Sequence, residues 1–190
     1  MPRAGLDADS VVDAAARLAD SEGLDKLTLA RLADRLGVRA PSLYAHVNGL
    51  ADLRARIGAH AVAQMTATMT AAATGRSGRE ALQAVADVYR QFARAHPGMY
   101  AAMQRAPENP DDETAAAARR LVDVFAAVLR GYGLEGDDAI HGVRLVRSAL
   151  HGFVTLENEQ GFRMPISLEE TYRRLIAMLD RGLRAAGQES

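Results

Sequence analysis

Thr28-Leu-Ala-Arg-Leu-Ala-Asp-Arg-Leu36-Gly37, followed by Val38-Arg-Ala-Pro41-Ser-Leu-Tyr-Ala-His-Val47, is the stretch that decides the fold. Leu29, Leu32, Ala33 and Leu36 recur at the spacing of one helical face. Thr28 has the short hydroxyl side chain that caps a first turn, and Gly37 is a residue that stops a helix. After the turn Val38-Arg39-Ala40, Pro41 suits the first position of a new helix, where its missing N–H costs nothing. That second helix is very short, because Asn48-Gly49 breaks it. Leu32, Leu36, Leu43 and Val47 can clamp the two helices together. Arg39, Ala40, Ser42, Ala45 and His46 are then left pointing outward.

The same periodicity extends in both directions. Helices are predicted over about 9–22, 50–73, 79–95, 99–105, 113–130, 137–159 and 167–186. Asp9 or Ser10 is expected to cap the first, Asp137 or Asp138 the sixth, and Ser167 with Glu170 forms a capping box for the last. Alanine, the best helix former, fills 38 of the 190 positions, and no segment alternates apolar and polar residues long enough to be a strand. The expected class is all-α: an N-terminal three-helix domain over residues 1–49, followed by a helical bundle over residues 50–190.

Several function classes are excluded or disfavoured. The chain has no Cys, so it has no disulfide, thiolate zinc site or thiol nucleophile. No apolar run reaches the roughly 18 residues that span a bilayer, and Met1–Ser10 lacks an apolar signal core, so a cytoplasmic protein without a membrane partner is expected. Gly131-Tyr-Gly133-Leu-Glu-Gly136 matches the pattern GxGxxG, but no strand precedes it, so it reads as a helix end and a turn. His141 and His151 lie some 15 Å apart along one helix, too far to share a metal ion. With no paired nucleophile and base and no phosphate loop, neither an enzyme nor a cofactor is expected.

Helix, tight turn, short helix is the helix-turn-helix arrangement, whose second helix enters the DNA major groove. Pro41 and Ser42 would lie at its N-terminal end, where free amides face phosphates. Thr28-Leu-Ala-Arg-Leu-Ala-Asp-Arg-Leu-Gly-Val together with Ser42-Leu-Tyr44-Ala-His46-Val resembles the tetracycline-repressor (TetR) family of transcriptional regulators. The resemblance is strong over about residues 8–57. It implies an N-terminal DNA-binding domain and a C-terminal domain for ligand binding and dimerisation. By position, Thr28 would touch phosphate, Arg39, Ala40, Pro41 and Ser42 would face bases or sugars, and Tyr44 and His46 would contact the backbone. Arg39 is the candidate for reading a guanine, whereas Ala40 can meet only a thymine methyl. Two positions depart from the pattern: Ala45 (or Val47) stands where an aromatic residue is common, and Leu50 where a lysine is usual. Losing that cation weakens binding and lowers its salt dependence.

The resemblance implies a small-molecule effector, and the bundle should hold it between helices. Candidate lining residues are Gln64, Tyr89, Phe92, Met99, Met103 and Phe125, which suit a mostly apolar or aromatic molecule; plain core packing is the other reading of each. A homodimer on double-stranded operator DNA is expected. Its interface would use Leu145, Ala149, Gly152 and Leu156 on one helix and Leu168, Tyr172, Leu175 and Leu179 on the next. The expected function is a repressor released by its ligand. The alternative is a helical ligand-binding module with weak or lost DNA binding, which Leu50 and Ala45 favour.

The formal net charge of −1 hides a segregation. Residues 1–25 carry 2 basic and 6 acidic side chains, and residues 26–60 carry 6 basic and 2 acidic. The positive surplus lies where a phosphate-binding face would need it.

Overall fold

The structure, a computed structural model, describes residues 6–105 and 112–189. Eight α-helices follow one another among these residues: α1 (Ala8–Glu22), α2 (Leu29–Leu36), α3 (Leu50–Ala73), α4 (Gly78–Ala95), α5 (Pro97–Gln104), α6 (Asp112–Arg130), α7 (Gly136–Asn158) and α8 (Leu168–Glu189). Two short 3-10 helices, Leu24–Lys26 and Ala40–Ala45, flank α2. No strand occurs among the described residues.

The helix ends are built locally. Asp7, two residues before Asp9 and three before Ser10, caps α1: its carboxylate accepts from the Ser10 amide at 2.7 Å, while the Asp7 amide donates to Ser10 Oγ at 3.1 Å. Thr28 Oγ1 accepts from the Arg31 amide at 3.2 Å, and Gly37, at φ 67°, closes α2 in the left-handed region. At the start of α7, Glu135 rather than Asp137 or Asp138 holds the cap position, and the two aspartates lie in the first turn. The glycines of the GxGxxG match form the turn between α6 and α7, with Gly133 at φ 80° and Gly136 at φ 54°. At α8, the Glu170 amide donates to Ser167 Oγ at 3.3 Å, but the Glu170 carboxylate turns to Arg173 and Arg174 instead of completing the box.

The described residues cluster into two compact units, one drawn from Met1–Val62 and Ala95–Ala115, the other from Ala63–Arg94 and Ala116–Ser190. The expected domain division at 49/50 follows the chain, whereas the compact units cross it: the first part of α3 and all of α5 belong with the helix-turn-helix. Close backbone approach is the reason. A Cβ on Gly98 would lie 2.2 Å from the Ala19 carbonyl carbon, and one on Gly58 would lie 3.0 Å from the Ala102 oxygen. Asp20 then fixes the start of α5. One carboxylate oxygen accepts from the Met99 amide at 2.9 Å, and the other lies 2.9 Å from His96 Nδ1. Val11, Ala15, Leu32, Leu43, Leu53 and Ile57 are fully buried in this unit.

The second unit packs α4, α6, α7 and α8 around Leu82, Val85, Tyr89, Leu129, Leu150 and Ile176. At one end, Arg90 of α4 is buried and held twice. Its Nε and Nη2 donate to Glu157 of α7 at 2.9 and 2.7 Å, and its Nη1 and Nη2 donate to Glu169 of α8 at 2.9 and 2.7 Å. The rings of Tyr172 and Phe153 lie 4.5 and 5.3 Å from the guanidinium. Tyr172 donates its hydroxyl proton to Asp87 at 3.0 Å, and burial chiefly, with Asp87, raises its pKa. At the other end, Tyr132 donates to Asp180 at 2.8 Å, and burial first, then that carboxylate, pushes the phenol's pKa up.

Two outcomes follow. Gly98→Ala should lower the unfolding free energy by roughly 1–3 kcal/mol through overpacking, read as a lower urea midpoint. Several carboxyls sit below their ordinary pKa: Asp7 through its bonds from Ser10, Glu169 through Arg90, and Glu170, pulled down to about 2 by Arg173 and Arg174. A lowered folded pKa means that the unfolded chain binds more protons. The stabilisation is complete above the ordinary carboxyl range and is lost as pH falls through the folded values. The urea midpoint should therefore drop steadily from about pH 5 toward pH 2; a flat profile would contradict it.

Candidate nucleic-acid interface

The very short helix expected after the turn is a 3-10 helix, Ala40–Ala45. Pro41 supplies no amide donor, and Leu43 O accepts from both His46 N at 2.9 Å and Val47 N at 3.0 Å, so the last turn mixes three- and four-residue bonds. Its shape is set by what it buries. Leu43 and Val47 are buried together with Leu32 and Ala33, while Leu36, expected in the clamp, is only half-buried.

With that apolar edge fixed inward, the predicted contact residues separate by exposure. Thr28, Arg39, Pro41 and Ser42 are exposed, Tyr44 is 62% exposed, and Ala40 and His46 are half-buried. The expectation of free amides at Pro41 and Ser42 changes: Pro41 has none, and the Ser42 amide donates to Arg39 O at 2.9 Å. Thr28 Oγ1 already accepts from the Arg31 amide, which leaves its hydroxyl proton free to donate to a phosphate.

The basic surplus also divides. Arg31 pairs with Glu22 and Arg56 with Asp52, and Arg54 donates to Leu24 O at 3.3 Å. Lys26, Arg35 and Arg39 are exposed and carry no ion pair among the described residues. Arg35, in the last turn of α2, is a cation that sequence reading did not single out; its one signal was its place four residues before Arg39. Leu50 opens α3 half-buried and without charge. Asp52 lies in the same first turn, accepting from the Asn48 amide at 2.7 Å. Burial works to raise the Asp52 pKa, but the Asn48 amide and Arg56 keep it below the ordinary range.

The other candidates are placed as follows. Tyr89, Phe92 and Phe125 are buried in the second unit, with the Tyr89 and Phe125 rings edge to face at 6.4 Å. Gln64 is exposed, which removes it from any lining within its own unit. Met99, buried, and Met103, half-buried, belong to the first unit. Leu145, Gly152 and Leu156 are exposed, and Ala149, Leu168, Leu175 and Leu179 are half-buried. Tyr172 is corrected: its ring lies inside its own chain against Arg90 and Phe153, unavailable to a partner. No cluster of three metal-ligating side chains exists among the described residues, and none of the helices searched is long and apolar enough to cross a membrane.

Comparison with known proteins agrees with this geometry. Residues 11–56 match the family described as bacterial regulatory proteins, tetR family. Residues 82–179 match the family described as tetracyclin repressor-like, C-terminal domain. An uncharacterized HTH-type transcriptional regulator of Mycobacterium tuberculosis, Rv0681, is 40% identical over 155 residues, 81% of this chain and 71% of that one. A protein of unknown function from Rhodococcus sp. RHA1 has a similar fold, with a TM-score of 0.80 at 21% identity over 97% of this chain and 99% of that one. So does a TetR variant from Acinetobacter baumannii in complex with minocycline, with a TM-score of 0.65 at 22% identity over 97% and 96% of the two chains. The class is a helix-turn-helix, DNA-binding transcriptional regulator, not an enzyme. The chain belongs to the TetR family.

On a DNA fragment that the protein binds, Arg39→Ala should cost about 1–3 kcal/mol of affinity if Arg39 reads a base. Tyr44→Ala should weaken binding without changing its salt slope, because a neutral phenol releases no counterion. Fluorescence anisotropy over a salt series separates the two; unchanged affinity in both variants would overturn the assigned surface.

Proposed function

We propose that the protein is a homodimeric repressor, acting in the cytoplasm, that leaves its operator when a small, mostly apolar or aromatic molecule binds its helical bundle. The observation that supports the reading is the outward set Arg39, Ser42 and Tyr44, opposite the buried Leu43 and Val47. A dimer presents two such elements, which must sit roughly 34–36 Å apart to enter successive major grooves. The exposed Leu145 and Leu156 support a partner on α7. The buried aromatic residues Tyr89, Phe92 and Phe125 support the chemistry of the effector, as does the minocycline held by the structural neighbour. The effector acts only through its differential affinity for the DNA-competent and released states.

Leu50 and Ala45 favour a second reading, a ligand-binding module with little DNA affinity, because each removes a backbone contact. One titration decides between them. Fragments spanning the gene's own promoter are titrated with protein at low and moderate salt, with light scattering in parallel. The repressor reading expects a saturable, salt-sensitive complex of two chains per site. A dimer that shows no binding at low salt would establish the second reading in its place.

A further inference from the structure

The turn before α2 is held from outside. Leu24–Lys26 is a single 3-10 turn, which has no stability of its own in water. Leu24 and Leu27 are buried on either side of it. Both lone pairs of the Leu24 carbonyl are used: its oxygen accepts from the Leu27 amide at 3.2 Å and from Arg54 Nη2 of α3 at 3.3 Å. Two donors from different elements fix the peptide plane between Leu24 and Asp25. Asp25 also pairs with Arg105 of α5 at 2.8 Å, but both of those side chains are exposed, and such a pair restrains little. Only Leu27 separates this turn from Thr28, the N-cap of α2.

Arg54 is badly matched to a role in folding alone. Its side chain is half-buried, and its Nε is buried with no hydrogen-bond partner among the described residues. A buried donor without an acceptor costs folding free energy, and one neutral carbonyl offsets little of the cost of drawing a guanidinium out of water. An apolar side chain of similar length would avoid both costs. Arg54 is also the first cation of α3, one turn after the uncharged Leu50. Its bond to Leu24 O engages it with its own chain, so the charge that Leu50 lacks is not simply moved to position 54.

We propose that Arg54 is a positioning residue for DNA binding: by fixing the Leu24 carbonyl, it sets the turn that aims the Thr28 hydroxyl and the exposed Lys26 ammonium at the DNA backbone. A hydroxyl–phosphate hydrogen bond tolerates an error of only about a few tenths of an ångström, so a turn free to pivot would lose it. Arg54 acts through Thr28 and touches no phosphate itself. The inference rests on the assignment of Thr28 to the phosphate-contacting surface and adds what holds it there.

Binding to a fragment of the gene's own promoter, followed by fluorescence anisotropy over a salt series beside urea unfolding, tests the role. Arg54→Met should bind about tenfold more weakly. Its salt slope should be unchanged and its urea midpoint no lower than that of the wild type. Arg54→Lys, which keeps a donor for Leu24 O, should recover most of the affinity. Thr28→Gly removes the hydroxyl at little cost to the cap. It should weaken binding several-fold in the wild type and hardly at all beside Arg54→Met. Additive losses, an undiminished Arg54→Met, a lysine variant as weak as the methionine one, or a lower urea midpoint would overturn the inference alone. So would a salt slope reduced by about one, which marks a phosphate contact made by Arg54 itself. A wild-type chain that binds no such fragment at low salt would overturn the assigned contact surface together with the inference.

Discussion

The proposed DNA-facing surface depends on the burial of one side chain, Leu43. A six-residue 3-10 helix has no stability of its own in water, since nucleation costs more than so few bonds return. Leu43 is completely buried, with Val47 and Leu32 beside it. That contact orients the element. It places Arg39, Ser42 and Tyr44 on the opposite side by geometry, without a bond among the described residues that holds those side chains directly. The proposed contact surface thus has its backbone anchored by a buried side chain and its own side chains exposed.

The same unit shows how near-neutrality coexists with DNA binding. Half of the basic residues between 26 and 60 serve the protein itself: Arg31 and Arg56 in ion pairs, and Arg54 on a backbone carbonyl. Lys26, Arg35 and Arg39 face outward. Among the described residues, these three cations carry no ion pair, and position 50 carries leucine, so on the proposed reading the electrostatic hold on DNA is modest.

What was legible in the sequence was local. Thr28 and Gly37 bound α2 as their chemistry requires, and the glycines after Arg130 make the turn between α6 and α7, with Gly133 and Gly136 at positive φ. Helix starts were less legible: a capping aspartate at position 7 competes with another at 9, and only the Ser10 hydroxyl, bonding back to the Asp7 amide, distinguishes them. The losses were non-local. Tyr172 shares a helical period with Leu168 and Leu175, but Arg90, far away in the chain, draws its ring inward. Gln64 sits in an apolar run and yet faces solvent. Such outcomes are set by partners that periodicity does not name.

Asp20 has a consequence for how the chain folds. Its carboxylate organises the first turn of α5, and Gly98 lets that helix press on Ala19, although residues 63–94 intervene and belong to the other unit. The DNA-binding body is thus discontinuous in sequence. It closes only after the chain has made an excursion and returned, at a loop-closure entropy that grows slowly with length. During synthesis, α1 and α2 leave the ribosome before the residues that complete their core. The N-terminal half spends that interval with the Ala19 surface uncovered, waiting for a helix made later.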